Sequence, residues 1–195
     1  MSDYFVMCPA PTIESESAQG YIEIEDWDDV EGFEDWGRGT PAQHQPAEPV
    51  EIKAVPSDGY TGLPDAFQDM SVPLMSKSLK EAIEAAGVDN IVFLPVTLRN
   101  TDTGDVYEYF AFNLIGLVAA ADAAKSKMFS YDGDYVGDTQ IQGLAVDDTQ
   151  TRGFLMFRLK EKFSVIMVHK SVKESIERSG IPTVKFVKPE DFVAL

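Results

Sequence analysis

The most chemically distinctive stretch of this sequence is an acidic and aromatic segment near the N-terminus, DWDDVEGFEDW, which holds both tryptophans of the chain. Aromatic rings anchor protein interfaces, and carboxylates form ion pairs with lysine and arginine on a partner. We therefore predict a partner-binding surface made of Asp26, Trp27, Asp28, Asp29, Glu31, Phe33, Glu34, Asp35 and Trp36. The alternative is that the three rings pack on the protein's own sheet while the acids face water.

Residues suited to catalysis are few. The sequence has no GxSxG, HExxH or CxxC motif and no phosphate-binding loop. Its two histidines are His44, in a proline-rich loop, and His169, at the end of a predicted strand. A pair of Cys8 with a histidine, acting as nucleophile and base, is the remaining catalytic alternative, although neither residue lies in a local motif. We predict a protein without a catalytic site or a cofactor.

A cluster of aspartates, Asp132, Asp134 and Asp138, resembles a fragment of a calcium-binding loop. It lacks the later glutamate of an EF-hand. The sequence therefore favours a solvated turn and no metal site, and whether this loop binds a cation stays open.

The formal charge of −17 is concentrated in the first 72 residues. These residues include sixteen acids and only two bases, Arg38 and Lys53, so their net charge is −14. The rest of the chain has a net charge of −3. Phosphate recognition needs patches of lysine and arginine, so the sequence argues against nucleic acid and anionic membranes as direct partners. It favours a basic protein partner drawn in by electrostatic steering. Surface charge that serves solubility is the alternative.

The single cysteine, Cys8, excludes an internal disulfide and fits a reducing compartment. The first residues lack the basic and apolar regions of a signal peptide, and no apolar run reaches the length of a membrane span. We expect a cytoplasmic protein.

Two stretches of the chain read as versions of one unit, Leu74–Phe93 and Met167–Phe186. Eight of about twenty aligned positions are identical: Lys77/Lys170, Ser78/Ser171, Lys80/Lys173, Glu81/Glu174, Ile83/Ile176, Glu84/Glu177, Gly87/Gly180 and Phe93/Phe186. Each copy predicts a strand, a short helix, a glycine stop and a second strand. Such short helices are unstable alone and must pack on a sheet.

Local signals predict where these helices begin and end. Ser78 with Glu81, and Ser171 with Glu174, have the spacing of a capping box, in which serine and glutamate satisfy the free N–H groups of the first turn. Gly87 and Gly180 stand where a left-handed residue ends a helix. The predicted buried faces contain Leu79, Ile83 and Ala86 in the first helix and Val172, Ile176 and Ser179 in the second.

Alternating and apolar segments predict strands at Tyr4–Cys8, Tyr21–Glu25, Val50–Val55, Ile91–Leu98, Val106–Asn113, Phe154–Leu159, Phe163–Val168 and Val184–Val187. Strands outnumber helices and lie in hairpins, so we predict an α+β fold with largely antiparallel sheet. Pro95 indicates an edge or a bulge in its strand. We divide the chain into an acidic, loop-rich region, 1–72, and an α+β domain, 73–195, with repeated units at 73–96 and 166–188.

Four stretches give the sequence a family resemblance: GFEDWGRGTP (Gly32–Pro41), Val72–Val96, Glu108–Asp122 and Phe157–Phe186. Together they resemble a family of immunity proteins from bacterial polymorphic toxin systems, first described as a domain of unknown function and typified by a myxobacterial immunity protein. None of the four stretches is a catalytic signature. Near Asp122 this chain has alanine where the family often has cysteine, and the segment around Asp26 is individual to it.

The resemblance implies a non-enzymatic protein that binds and neutralises a cognate toxin in competition between bacteria. An acidic inhibitor would suit a basic nuclease toxin, because carboxylates can mimic the phosphates of its substrate. The acidic and aromatic residues named above then become candidates for toxin binding. The competing hypotheses are a small acidic α+β enzyme and an adaptor subunit of unknown substrate, which the neighbouring genes would distinguish. Residue patterns leave the oligomeric state open.

Overall fold

Each of the eight predicted strands overlaps a strand of the computed structural model, which describes residues 2–9, 22–25, 31–56, 63–67, 72–130, 133–137 and 139–194. The elements in chain order are β1 (Tyr4–Pro9), β2 (Ile22–Glu25), β3 (Val50–Pro56), β4 (Ala66–Phe67), β5 (Leu74–Ser76), α1 (Lys77–Ala85), β6 (Ile91–Asn100), β7 (Val106–Leu114), β8 (Leu117–Val118), β9 (Met128–Phe129), β10 (Gln140–Gln142), β11 (Met156–Leu159), β12 (Lys162–His169), α2 (Lys170–Arg178), β13 (Val184–Val187) and β14 (Val193–Ala194). Short 3-10 turns occupy Asp148–Gln150 and Pro189–Asp191.

The strands form three sheets. A six-stranded sheet has the order β2-β3-β6-β7-β5-β4, a five-stranded sheet has the order β13-β1-β12-β11-β8, and a small sheet has the order β14-β10-β9. Among the described strands, β3 with β6 and β8 with β11 pair in parallel, and the other pairings are antiparallel. The predicted class, α+β with mostly antiparallel sheet, is confirmed. The division at residue 72 stays a prediction from charge; β1 and β3 from that first region lie within the two larger sheets.

Pro95 lies in the part of β6 that has a neighbouring strand on one side only, which agrees with the predicted edge position. Strand β6 pairs with β7 along its length, whereas its pairing with β3 begins only at Val96. The missing N–H of Pro95 therefore removes no hydrogen bond to β3.

The two predicted units have the same connectivity. In the first, β5 and β6 flank β7, and α1 connects them; in the second, β12 and β13 flank β1, and α2 connects them. In each case the two outer strands run antiparallel to the strand between them. Both units are therefore split β-α-β arrangements.

A cluster of side chains also recurs in the two units. The Lys80 ammonium lies 5.0 Å and 5.2 Å from the ring centroids of Phe93 and Phe110, and it pairs with Glu84 at 2.7 Å. In the second unit Lys173 lies over two phenylalanines and pairs with a glutamate: Phe5 at 5.2 Å, Phe186 at 5.8 Å and Glu177 at 2.8 Å. Such cation–π contacts stabilise half-buried rings. An origin of the two units by internal duplication stays a prediction.

The predicted capping boxes are wrong. The N-cap residues are Ser76 and His169, so Ser78 and Ser171 lie inside the first turns. Ser76 Oγ accepts from the Leu79 N–H at 3.2 Å, and His169 Nδ1 accepts from the Ser171 N–H at 3.2 Å. Each strand runs directly into its helix, and the last strand residue supplies the cap. The glycine stops are confirmed, since Gly87 and Gly180 have φ of +85° and +71°.

Three apolar layers follow from this topology. The central layer holds both helices between the two larger sheets, and Leu79, Ile83, Val172 and Ile176 are completely buried in it. The outer face of the six-stranded sheet is covered by residues from the 31–49 region. The outer face of the five-stranded sheet is covered by the small sheet.

We expect Ile83→Ala and Ile176→Ala each to lower the free energy of unfolding by roughly 2–5 kcal/mol, because each leaves a cavity in the central layer. Urea unfolding followed by circular dichroism measures both. Glu81→Ala and Glu174→Ala, on the exposed sides of the same helices, are the matched controls and should change stability by less than about 0.5 kcal/mol. A small effect of the isoleucine variants would contradict the shared core.

The cap of α2 gives a second prediction. His169→Ala should cost roughly 1 kcal/mol of unfolding free energy, since it removes the acceptor for the Ser171 N–H. His169→Ser should restore most of that loss, because serine performs this role at the start of α1. Equal stability of the alanine and serine variants in urea unfolding would exclude the capping role.

Candidate protein-binding site

The described part of the acidic segment forms a series of turns, residues 31–40, against the six-stranded sheet. Phe33 and Trp36 point inward, with 3% and 2% of their surfaces exposed, and their rings meet edge to face at 4.9 Å. They pack in the apolar layer that also contains Ile52 and Leu98. A backbone hydrogen bond from the Trp36 N–H to the Phe33 carbonyl, at 2.9 Å, closes the turn between them.

The structure separates the predicted residues into two groups. Phe33 and Trp36 are core residues, so they cannot serve as exposed anchors, and for them the packing interpretation is the correct one. Glu31 and Glu34 are exposed, and Asp35 is half-buried. The other four candidates lie outside the described residues: Asp26, Trp27, Asp28 and Asp29.

Beside this turn lies an open groove of about 840 Å³. One wall contains Glu31, Glu34 and Asp35, and the other consists of residues between His44 and Glu51, in the loop before β3 and at the start of that strand. Apolar residues complete the lining: Pro46, Ala47, Pro49 and Val50. We call this feature the acidic groove. It presents four carboxylates and one imidazole around an apolar surface.

Two carboxylates of the groove, those of Glu34 and Glu51, are held in their charged form by hydrogen bonds. Backbone N–H groups of Glu34 itself and of Gly32 donate to the Glu34 carboxylate and hold its pKa below the ordinary value, with a smaller effect from the nearby His44. A hydrogen bond from Arg99 lowers the pKa of Glu51, and Arg99 Nε and Nη2 contact the two Glu51 oxygens at 2.9 Å and 3.0 Å. The groove therefore stays negative at neutral pH and attracts cationic groups.

Glu51 and His44 line the groove although they are not among the residues predicted for the binding surface. Glu51 stands in an alternating strand, VEIKAV, whose period of two indicates that its side chain points away from the buried Ile52. That signal predicts exposure only. The proximity of β3 to the 31–35 turn is a tertiary feature, so no local pattern could reveal it.

The structure does not assemble the catalytic pair considered above. His169 is the register partner of Tyr4, and Cys8 lies four residues further along β1, roughly 13 Å away at about 3.3 Å per residue. His44 belongs to the acidic groove beside the six-stranded sheet, whereas Cys8 lies in the five-stranded sheet. His169 has a structural role instead, as the cap of α2.

The aspartate loop is described only in part. Asp134 lies within the described residues, and Asp132 and Asp138 lie outside them. Across the described ranges no group of three or more His, Cys, Asp or Glu side chains is arranged to hold a metal ion. In the same part of the chain, no helix has the length and apolar character needed to cross a membrane.

Comparison with known proteins identifies the family of this chain. The model of an immunity protein family, Imm11, matches residues 10–191 and so covers the acidic turn, both helices, the six-stranded sheet, and the five-stranded sheet apart from its strand β1. The chain belongs to the Imm11 immunity protein family. This membership confirms the resemblance found in the sequence. A search of curated proteins gives no match.

The buried ring of Trp36 gives the prediction for this site. Trp36→Ala should lower the free energy of unfolding by roughly 3–5 kcal/mol, because it leaves a cavity in the apolar layer over the six-stranded sheet. Glu34→Gln, two residues away and exposed, is the control and should shift stability by less than about 0.5 kcal/mol. Scanning calorimetry measures both, and an unchanged melting temperature for Trp36→Ala would contradict the core position.

Proposed function

We propose that this protein binds and neutralises a cognate toxin of a bacterial polymorphic toxin system, and that it does so by contact and without catalysis. Membership of an immunity protein family supports the role of toxin inhibitor. The proposed place of action is the cytoplasm of the producing cell, where the protein protects that cell and its kin. The acidic groove is the observation on which the proposed binding surface rests.

The groove suits a partner with a basic face. Three of its four carboxylates, Glu31, Glu34 and Asp35, lie on a turn that Phe33 and Trp36 fix to the core, so little conformational entropy is lost when they contact lysine or arginine. The apolar lining can receive the aliphatic stems of those side chains. We therefore propose that Glu31, Glu34 and Asp35 contact the toxin. Asp26, Trp27, Asp28 and Asp29, adjacent in sequence, remain candidates for the same surface.

A nuclease is the toxin class that fits this chemistry best. An enzyme that cleaves nucleic acid must present a positive surface to phosphates. A rigid row of carboxylates can occupy that surface in place of the substrate, and the opposite charges of the two proteins accelerate their encounter. The proposed inhibition is thus steric and electrostatic.

The direct test is co-expression with the product of the neighbouring toxin gene, followed by co-purification and a viability assay. Protection of the cells by a stable complex is the expected result. Failure of the two proteins to associate, together with loss of viability, would contradict the immunity role. A catalytic effect on a metabolite, with no bound partner, would favour the enzyme hypothesis.

The groove itself is tested by charge reversal. The triple variant Glu31→Lys, Glu34→Lys and Asp35→Lys should slow association with the toxin on the order of tenfold at low ionic strength, because it reverses the steering field. The wild-type rate should fall as salt rises past about 0.1 M, where the Debye length is about 10 Å. Stopped-flow or surface-binding kinetics measure both rates.

A matched control has the same change in net charge elsewhere. Glu81→Lys, Asp89→Lys and Glu190→Lys alter three exposed acids outside the groove. This variant should keep an association rate close to that of the wild type. Equal slowing by the two triple variants would mean that net charge alone matters, and the groove would then lose its special role.

A further inference from the structure

The outer face of the small sheet carries apolar side chains that are open to solvent. The antiparallel register places Phe129 opposite Gln140 and Val193 opposite Gln142, and directly opposite residues point to the same face. Phe129 and Val193 are each 61% exposed. Ile141, between the two glutamines on β10, points to the other face and is completely buried. The sheet therefore packs one face on the five-stranded sheet and presents the other, with an apolar residue at each edge.

The loop between β9 and β10 adds to this surface. The Ser130 hydroxyl donates to the Asp134 carbonyl at 2.9 Å, which holds the loop beside the end of β9. Tyr135 and Val136 follow directly and are exposed. Of the seven large apolar side chains that are exposed in the described part of the chain, four belong to the small sheet and its loop. Exposed apolar residues that lie together mark an interaction surface. We call this set the small-sheet patch: Phe129, Tyr135, Val136 and Val193.

The small-sheet patch lies at the end of the molecule away from the acidic groove. The groove lies over the outer face of the six-stranded sheet, the helices lie between the two larger sheets, and the small sheet covers the outer face of the five-stranded sheet. Residues 121–145 and 185–195, which form the small sheet and its loops, contain six acids and four bases, a net charge of −2 against −14 for residues 1–72. Two copies of the chain can therefore approach each other at this end with little like-charge repulsion.

We propose that the small-sheet patch is a self-association surface, on which a second copy of the chain packs face to face about a two-fold axis. Phe129 and Val193 lie diagonally across β10, about 12 Å apart for strands about 4.8 Å apart and a rise of about 3.3 Å per residue. An axis in the interface, perpendicular to this diagonal, places Phe129 of each copy against the partner's Val193. Gln140 and Gln142 lie between these two contacts and supply amide donors and acceptors. The face is thus complementary to itself.

The size of the face indicates a weak dimer. Its two outer strands lie only about 10 Å apart, whereas stable interfaces bury roughly 800 Å² on each partner. The dimer should therefore form at high protein concentration. Because each copy has a formal charge of −17, added salt screens the repulsion between copies and should strengthen the dimer. The proposed encounter with a basic toxin has the opposite salt dependence, so self-association can hold or fail independently of the proposed function.

Sedimentation equilibrium of the full chain tests the dimer, with protein from roughly 10 µM to 1 mM in about 0.1 M and about 0.5 M sodium chloride. The wild type should show a monomer–dimer equilibrium whose dissociation constant falls at the higher salt. Phe129→Lys should raise that constant on the order of tenfold or more, because it replaces an apolar contact by a charge. Val106→Lys is the matched control. It makes the same charge change at an apolar residue that is 54% exposed on β7, and it should leave the constant unchanged.

Cross-linking tests the geometry. Phe129→Cys and Val193→Cys are made separately in a Cys8→Ala background, so that each chain has a single thiol. When the two variants are mixed and oxidised, the covalent heterodimer should form faster than the homodimer of either variant, because the two-fold axis brings these two positions together. A mixture of Val106→Cys with Val193→Cys is the control and should cross-link slowly.

Four results would overturn the self-association surface. These are a wild type that stays monomeric at every concentration, a dimer that weakens as salt rises, equal weakening by Phe129→Lys and Val106→Lys, and a mixed cysteine pair that cross-links no faster than either variant alone. If the chain stays monomeric and Phe129→Lys instead weakens binding of the toxin, the toxin and not a second copy occupies the small-sheet patch.

Discussion

The contact between two helices that are too short to be stable alone is the constraint on which this fold depends. Helices α1 and α2 have nine residues each, and isolated helices of that length are marginal in water. They pack side by side, and the Ser175 hydroxyl donates to the Ala82 carbonyl at 2.8 Å across the contact. Both helices bury one face against both larger sheets. The sheets are thereby held on either side of a single central layer.

That arrangement leaves each larger sheet with a second face to cover, and the two covers differ. The five-stranded sheet is covered by the small sheet, with Ile141 at its centre. The six-stranded sheet is covered by irregular chain, with Phe33 and Trp36 inserted between the turn and the sheet. Irregular covers accept changes of sequence more readily than paired strands do. Substitutions at exposed positions of the 31–49 cover should therefore disturb the fold less than substitutions in the paired strands.

Local patterns predicted the long elements well and the short ones poorly. Strands β6 and β7 have clear apolar alternation and a turn between them, and the structure pairs them without a register shift. Strands such as β4, β8 and β14 have two residues each, which is too short for any period to be visible. The parallel pairing of β3 with β6 joins residues 46 positions apart, such as Val50 and Val96, and loop composition carries no signal for such a contact.

The cap of each helix shows why even a strong local signal can fail. Ser78 and Ser171 have the correct spacing to a glutamate, but the strand before each helix already ends at the cap position. In the first unit, Asp65 accepts from the Ser76 hydroxyl and from Thr183, whose chain leads into β13. This tertiary hydrogen bonding favours Ser76 as the cap over the equivalent local choice two residues later. Long-range contacts therefore decided between two positions that the sequence alone ranked wrongly.

The candidate site shows both local and long-range effects. Its unusual composition marks the acidic and aromatic residues as one segment in the sequence. Which of them are buried and which are exposed depends on the sheet beneath them. Phe33 and Trp36 use their apolar surface inside the protein, and this fixes the turn on which Glu31, Glu34 and Asp35 lie. Carboxylates on a fixed turn keep their mutual spacing before a partner binds. Less conformational entropy is therefore lost on binding than if they lay on a flexible chain. In the proposed recognition of a toxin, the buried rings would act indirectly, through the rigidity of the charged surface.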